Sequence, residues 1–438
     1  MKEQNRGGFT SSFGVMMALA GSAVGLGNIW RFPYLAGEHG GAAFIIIYLL
    51  MVLLVGLPLV LTEFSVGRLS RAGAISSFKV LAPKSVWSNS GYVFMLIGFL
   101  LMGVYSVISG WALHLFSDSV FGEVSGLTAI EIKDDFSEFR GSVWQPIAYG
   151  LSFVLLSAVI VGRGIEKGVE KWNKILIPVL FFMMIFLCIY STTLEGWDKA
   201  VTFLFAPDWS EVTIRTFIDA LGQVFFTLSI GMGVVITYAS YAKKKENIFK
   251  SKLIVSAVDT SVALMAGLMI FPAVFSFGLE AGEGPELIFL TLPTVFAQLA
   301  YGKAFAILFS GVLVIAALTS AISIFEMLTT IFIEQLRMTR VRAVVVLGVM
   351  VASLTVLCAA WQSVFNAFDY LSSNVLMVLG GLIMALFFGW RLSKKQSWSV
   401  FTNDGENSRG VYKVFIFLVR YIAPVALTVI LLSALGLI

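Results

Sequence analysis

The sequence predicts an all-α membrane protein, and its composition and hydropathy support this fold class. Of the 438 residues, 58% are hydrophobic and only 13% are charged, with a mean hydropathy of +0.91. Apolar runs of about 18 residues or more recur along the whole chain, and each can cross a bilayer as a helix. A transmembrane β-barrel would show short alternating segments instead. The composition therefore excludes a soluble protein of this length.

We predict about eleven spans within a single domain, 1–438. The first five and the next five form two halves, 9–191 and 215–391, which we expect to be inverted repeats, and 411–437 is an extra span. The approximate spans are 10–36, 42–68, 91–117, 143–162, 168–191, 215–241, 252–277, 303–335, 341–360, 365–390 and 411–436.

The basic residues predict how the chain is oriented. With a cytoplasmic N-terminus, 23 of the 30 Lys and Arg residues fall in inner segments and five in outer loops. This asymmetry follows the positive-inside rule, and the odd number of spans leaves the C-terminus outside. The start of the chain is too short and polar for a cleavable signal peptide, so we expect a multi-pass protein of the cell membrane. The net charge of +4 reports this topology and indicates no nucleic-acid partner.

Two predicted spans contain residues that interrupt a helix near mid-membrane. Span 1 carries Ala20-Gly-Ser-Ala-Val-Gly-Leu-Gly-Asn28, and span 6 carries Thr227-Leu-Ser-Ile-Gly-Met-Gly233. In hydrocarbon a helix breaks only where protein, ions or ligand satisfy the freed backbone groups. Interrupted segments at matching positions of two halves are typical of inverted-repeat transporters. Either segment alone could instead serve close helix packing.

Polar residues of two other spans lie at the same depth. In span 8, Ala316, Thr319, Ser320 and Ser323 share one helix face. Hydroxyl and carbonyl oxygens are hard ligands suited to an alkali cation, although such hydroxyls also bond to their own helix. Asp259 in span 7 lies in an apolar run, where an acid is by default a candidate functional residue.

Further polar side chains lie near the centre and at the two mouths of the predicted bundle. Tyr105 is near the middle of span 3, where it packs or contacts a ligand. Arg31 and Asp369, at the ends of spans 1 and 10, are the expected charges of the outer mouth. The residues expected to close the inner mouth are Arg6, Glu334 and Tyr241.

These segments resemble a known family. The run from Ala20 to Tyr34 is similar to the span-1 signature of the neurotransmitter:sodium symporters, and the similarity covers nearly the whole chain. The span number, short tails and Gly-Met-Gly break resemble its bacterial branch, which takes hydrophobic and aromatic amino acids. Further matching segments are Gly56–Pro58 with Glu63 and Gly67-Arg68, Tyr105–Trp111, Gln223–Ser229, Ile236–Tyr241, Leu318–Ser320 and Arg420–Pro424.

The resemblance implies sodium-coupled uptake of a neutral, hydrophobic or aromatic L-amino acid by alternating access, with two Na⁺ ions. The first ion site would use Ala23, Asn28, Thr227 and Asp259, and the second Gly21, Val24, Ala316, Thr319 and Ser320. The predicted substrate residues are Ser22, Ala23, Leu26, Gly27, Leu101, Tyr105, Phe226, Thr227, Ser229, Met232, Ser320, Ser323 and Ile324. The implied gates are Arg31 with Asp369, the Phe226 lid, and Arg6 with Glu334 and Tyr241.

Departures from the family pattern refine these expectations. Monoamine carriers have Asp where this sequence has Gly25, so we expect the ligand to bring its own carboxylate. Chloride-dependent members have Asn and Ser where this chain has Asp259 and Ala263. The fixed anion at Asp259 would substitute for chloride, or it would export a proton on the return step. Gly168 and Pro178 in span 5 have a spacing that the branch links to helix unwinding near the second ion site.

Two other classes are disfavoured and one stays open. An ion channel would need a continuous polar pore, whereas polar groups concentrate here at one depth. An enzyme would need a catalytic pair, and neither His39 nor His114 is beside another candidate. A regulatory receptor with this fold is not excluded. The sequence does not decide between leucine-like and tryptophan-like substrates. We expect the amino acid, Na⁺ and the bilayer as partners, and no obligate protein partner.

Overall fold

The computed structural model describes residues 8–122, 126–242, 248–279, 287–299, 301–402 and 409–437, and these residues are almost entirely helical. The helices of the first half are α1 (Ser12–Ala23), α2 (Gly27–Glu38), α3 (Ala42–Ser70), α4 (Ala74–Leu81), α5 (Tyr92–Phe121), α6 (Ala129–Gly141), α7 (Trp144–Gly162), α8 (Ile165–Ser191) and α9 (Trp197–Phe205). The others are α10 (Ile214–Thr227), α11 (Val234–Tyr241), α12 (Ile248–Ser276), α13 (Ile288–Gln298), α14 (Gly302–Leu336), α15 (Arg340–Ala360), α16 (Gln362–Arg391), α17 (Lys394–Thr402) and α18 (Arg409–Ala434).

Most of the predicted spans are single long helices. In the described part of the chain, nine helices are long and apolar enough to cross a membrane: α3, α5, α7, α8, α12, α14, α15, α16 and α18. The pair α1 and α2, bent by 49°, accounts for a tenth span. The segment predicted as span 6 forms two short helices, α10 and α11, with residues 228–233 between them. The predicted all-α membrane class is confirmed.

The four short helices α1, α2, α10 and α11 lie inside the bundle. The helix α1 packs against α8, α11, α12 and α14, and α11 packs against α3. In the most apolar 18-residue stretch of each long helix, the protein buries 78% of the residues in α5 and in α14. The corresponding share in α18 is only 28%. The apolar surface of α18 therefore faces lipid, whereas α5 and α14 support the centre.

The helix α8 contains the Gly168 and Pro178 pair singled out above. It stays helical from Ile165 to Ser191 but begins with a widened π-type turn, Ile165–Glu170. A π-type turn is a local irregularity that often occurs at functional sites. The predicted weak point thus takes the form of a widened turn and not of an unwound segment.

The loop between α12 and α14 covers one end of the bundle, on the predicted outer side. Its short helix α13 places Phe289 against Trp30, Trp111 and Phe136, with ring centroids 5.5 to 6.2 Å apart. This aromatic cluster holds the loop against α2, α5 and α6. Its residues 280–286 and 300 lie outside the described part of the chain.

Candidate functional site

The break between α1 and α2 is stabilised by one side chain of α2 itself and one of α10. Helix α1 ends at Ala23, and Val24 is extended, with ψ of 99°. The side-chain oxygen of Asn28 accepts a hydrogen bond from the Gly25 amide at 3.1 Å, and Gln223 Nε2 donates to the Gly27 carbonyl at 2.8 Å. The freed backbone groups of this buried segment therefore find partners, as a break inside a membrane requires.

The break between α10 and α11 uses left-handed backbone. Ser229, Gly231 and Gly233 have φ of +53°, +78° and +79°, and such values are uncommon for a residue like serine. The Glu63 carboxylate accepts a hydrogen bond from the Gly231 amide at 2.7 Å. Ser229 Oγ donates to the Ser22 carbonyl at 2.8 Å, which ties the two breaks together.

Glu63 and Gln223 hold the two breaks, and sequence analysis gave them no role. Both side chains are fully buried. A buried acid inside predicted span 2 was the available signal, because a charge within a membrane helix requires a specific partner. The partners themselves are 168 and 196 residues away along the chain, so sequence spacing does not reveal them.

The structure brings together three of the residues predicted for the first ion site. Asp259 is fully buried, and its Oδ1 accepts hydrogen bonds from Asn28 Nδ2 at 2.7 Å and Thr227 Oγ1 at 2.8 Å. Tyr48, which sequence analysis missed, donates to Asp259 Oδ2 at 3.4 Å. Ala23, the fourth predicted residue, lines the adjoining cavity. We call Asn28, Thr227 and Asp259 the first oxygen group.

The five residues predicted for the second ion site also meet. Thr319 Oγ1 lies 3.4 Å from the Val24 carbonyl and 3.1 Å from the Ala316 carbonyl. Ser320 Oγ lies 3.5 Å from the Gly21 carbonyl. Carbonyl and hydroxyl oxygens from α1 and α14 therefore converge, and we call these five residues the second oxygen group. Hard oxygens of this kind suit an alkali cation.

A small central cavity lies between the two breaks. Its volume is about 20 Å³, which is room for about one water molecule. Gly25 lines it, although sequence analysis did not count Gly25 among the substrate residues. The lining residues are Ser22, Ala23, Gly25, Gly27, Leu101, Tyr105, Phe226, Thr227, Ser229, Met232, Ser320 and Ile324.

Two predicted substrate residues do not line this cavity. Leu26 is only 2% exposed and packs into the hydrophobic core. Ser323 accepts a hydrogen bond from Tyr238 Oη at 2.9 Å and donates to the Thr319 carbonyl at 2.9 Å. Ser323 shares a helix face with the second oxygen group, but its hydroxyl is used to pack α14 against α11.

Tyr105 and Phe226 form opposite parts of the cavity wall. The buried Tyr105 hydroxyl lies near Ser320 and the Leu26 amide, yet it has no hydrogen bond of good geometry to the described residues. The Phe226 ring covers Gly27, since a Cβ atom on that glycine would lie 2.5 Å from the ring. The Arg31 guanidinium lies over the same ring, 5.6 Å from its centroid.

The predicted outer gate is not a closed ion pair. Arg31 and Asp369 interact electrostatically, but no salt bridge within 4 Å joins these two described residues. Asp369 Oδ1 instead accepts a hydrogen bond from Ser373 at 3.3 Å. Of the two predicted outer barriers, the Phe226 ring, which covers Gly27, is therefore the one in contact with the cavity.

The predicted inner gate contains a buried network that sequence analysis missed. Tyr241 Oη lies 3.1 Å from the Glu326 carboxylate, which also forms an ion pair with Arg340 at 2.6 Å. Glu334 accepts a hydrogen bond from the Gly73 amide at 2.7 Å. Its predicted partner Arg6 lies outside the described part of the chain.

Comparisons with known proteins identify the family and agree with the overall fold. The sequence matches the family described as the Sodium:neurotransmitter symporter family over residues 6–127 and 126–436. It is 36% identical to the uncharacterized sodium-dependent transporter YhdH of Bacillus subtilis (strain 168), covering 100% of this chain and 99% of that protein. An uncharacterized sodium-dependent transporter of Haemophilus influenzae is also 36% identical and is covered to 97%, as is this chain. The crystal structure of MhsT in complex with L-phenylalanine superposes with a TM-score of 0.90 at 37% identity, over 98% of this chain and 100% of that one.

Proposed function

Because the chain belongs to the sodium:neurotransmitter symporter family and is therefore a multi-pass, sodium-dependent transporter, we propose that it takes up a neutral, hydrophobic or aromatic L-amino acid. Uptake is coupled to two Na⁺ ions by alternating access. The family is one of secondary transporters, not of enzymes. The relative of known structure was crystallised with L-phenylalanine, which favours an amino acid as substrate here.

The observation that carries the proposal is the chemistry of the central cavity. None of its described lining residues carries a charge, and position 25 is glycine. A ligand bound here therefore supplies its own carboxylate, as an amino acid does and a simple amine does not. Leu101, Met232 and Ile324 form an apolar wall that suits a hydrophobic side chain. Met in particular adapts to several side-chain shapes.

The two oxygen groups lie on either side of this cavity and are proposed as the ion sites. Thr227 lines the cavity and belongs to the first oxygen group. Ser320 lines the cavity and belongs to the second oxygen group. An ion bound at either group would therefore sit beside the substrate. The proximity provides electrostatic coupling, because a cation favours the substrate carboxylate and the carboxylate favours the cation. The Tyr105 hydroxyl is available to hold the same carboxylate.

Asp259 supports uptake without chloride. When ionised, its buried carboxylate places a negative charge inside the first oxygen group, so an added anion is not required to offset the cations there. Protonation of the same carboxylate on the return step is the route by which proton antiport would occur. We propose the inward direction, the cell membrane, a cytoplasmic N-terminus and the two inverted repeats from the distribution of basic residues and the two helix breaks.

The experiment is ligand binding to the purified full chain in detergent. Radiolabelled L-phenylalanine, L-tryptophan and L-leucine are compared in sodium chloride, sodium gluconate and choline chloride. We expect binding in both sodium media and none in choline, and we expect an excess of tryptamine, which lacks the carboxylate, to compete poorly. Binding that persists without sodium, or that requires chloride, would contradict the proposal in those respects.

A further inference from the structure

One buried side chain beside the second oxygen group has an unused acceptor. Asn173 on α8 is fully buried, and its Nδ2 donates to the Val169 carbonyl at 2.8 Å. Since a carbonyl only accepts, the nitrogen of the amide must face Val169, and this fixes the opposite direction for Oδ1. Among the described residues, Asn173 Oδ1 has no hydrogen-bond partner. A buried polar atom without a partner is rare and calls for an explanation.

This oxygen lies directly against α1. A Cβ atom added to Gly21 would lie 1.9 Å from Asn173 Oδ1 and 3.2 Å from the Thr319 Cβ. Three parts of the fold therefore meet at one point: α8 through Asn173, α1 through Gly21, and α14 through Thr319. Gly21 and Thr319 are members of the second oxygen group. The absence of a side chain at Gly21 is what lets the amide of Asn173 approach.

We propose that Asn173 is a further sodium-positioning residue, and that its Oδ1 acts on the second ion from the α8 side, directly or through one water. This inference rests on the proposed function, because it assumes a sodium ion at the second oxygen group. An amide oxygen is the type of neutral, hard ligand that such an ion accepts. The interaction also gives the unpaired oxygen a cationic or water partner.

The same side chain connects the ion to the shape of α8. The Val169 carbonyl that Asn173 holds belongs to the widened turn Ile165–Glu170. The next residue, Glu170, accepts a hydrogen bond at 2.8 Å from the amide of Thr10, just before α1, and one at 2.5 Å from Lys174 of α8. An ion that orders Asn173 therefore stabilises this turn and its contact with α1, and departure of the ion releases both.

The alternative is that Asn173 only bonds to its own helix through Val169. A sodium titration of thermal stability separates the two roles, because an ion that binds the folded state raises the melting temperature with a measurable midpoint. The full-length protein in detergent is titrated with sodium chloride replacing choline chloride, without substrate. The variants are N173A, which removes the oxygen, and N173D, which keeps an oxygen there but replaces the nitrogen that donates to the Val169 carbonyl. The matched control is S191A, at the far end of the same helix, where a buried hydroxyl donates to the Leu187 carbonyl at 2.9 Å and to the Met269 carbonyl of α12 at 3.3 Å.

We expect N173A to raise the sodium midpoint about tenfold, the effect of losing one hydrogen-bonding partner of a charged group. N173D and S191A should not raise it. In a double-mutant cycle, N173A and T319A should be non-additive, since neighbours at one ion couple. A wild-type midpoint in N173A, or additivity with T319A, would overturn the assignment and leave the proposed function intact. If N173A does not fold, N173D decides. A sodium midpoint of N173D above that of the wild type would overturn the assignment, and a midpoint at or below that of the wild type would support it. A wild-type protein without any response to sodium would instead defeat the proposed function.

Discussion

Replacing Asp259 by Asn tests the charge of the first oxygen group with little change in shape. The amide oxygen of Asn can still accept from Asn28 and Thr227, which now lie 2.7 and 2.8 Å from Oδ1. The new NH₂ group would face Tyr48 Oη, at 3.4 Å from the replaced oxygen, and that hydroxyl can accept. The substitution therefore removes one negative charge and leaves the local hydrogen bonds largely in place.

The magnitude follows from the interaction that is lost. Two unit charges about 4 Å apart interact by roughly 4 kcal/mol at an effective dielectric constant near 20. Because Asn retains a polar oxygen, we expect the loss to be about 1.5 to 4 kcal/mol, which corresponds to a sodium midpoint raised by roughly ten- to a thousandfold. If Asp259 replaces chloride, an added chloride ion should restore part of this loss in the variant but not alter the wild type.

The assay is amino-acid binding against sodium concentration, in gluconate and in chloride, for the wild type and D259N. Thr355→Ala is a suitable control, because Thr355 is buried on α15 and, among the described residues, its hydroxyl bonds only to the Val351 carbonyl of its own helix. The reasoning would be refuted by a D259N protein with the wild-type sodium midpoint and no response to chloride. It would be equally refuted by a wild-type protein that needs chloride.

Three further substitutions test the cavity and its supporting break. Gly25→Asp adds a carboxylate to the cavity wall, at a position where the new Cβ would lie 2.5 Å from the Ser320 hydroxyl. We expect charge repulsion and crowding to weaken amino-acid binding at least tenfold, as measured by competition. An unchanged affinity would contradict the assigned cavity. Tyr105→Phe should weaken amino-acid binding about tenfold while leaving the sodium midpoint of the ligand-free protein unchanged, and an equal effect on both would argue against a carboxylate contact. Gly231→Ala should lower thermal stability by about 1 to 3 kcal/mol or more, because φ is +78° and a Cβ would lie 2.1 Å from a backbone oxygen of α16. Gly348→Ala is its control, since a Cβ added there would meet no described residue within 4 Å outside its own helix backbone, and equal melting temperatures for the two variants would refute the backbone argument.

Sequence reasoning located the helix breaks because their signal is local. Glycines and polar residues inside an apolar run point to an interruption, and the structure has its interruptions at 24–26 and 228–233. The helix class could be predicted for the same reason, since each long span carries its own hydropathy. The two halves of span 6 are too short to be recognised as spans by length alone.

The partners of several site residues were not predictable, because they depend on packing between distant helices. Tyr48 and Glu326 face polar groups 211 and 85 residues away. Helical periodicity predicted that Thr319 and Ser323 share a face of α14. It could not predict that Ser323 forms a hydrogen bond with α11, because that contact depends on tertiary packing. The ion and substrate roles of the assembled residues remain predictions, and the experiments above test them.

The small volume of the central cavity has a consequence for selectivity. A space of about 20 Å³ accommodates one water, so any amino acid must push apart Phe226, Met232 and Ile324 as it enters. The part of that free energy needed to admit the amino-acid backbone is common to every guest, whereas burial of the side chain contributes roughly 0.8 kcal/mol for each methylene. Burial of glycine or alanine therefore offsets little of the free energy of opening the cavity, and burial of a longer apolar side chain offsets more of it. Selection against small substrates would then arise from the stiffness of an elastic pocket, without any group that recognises the side chain itself.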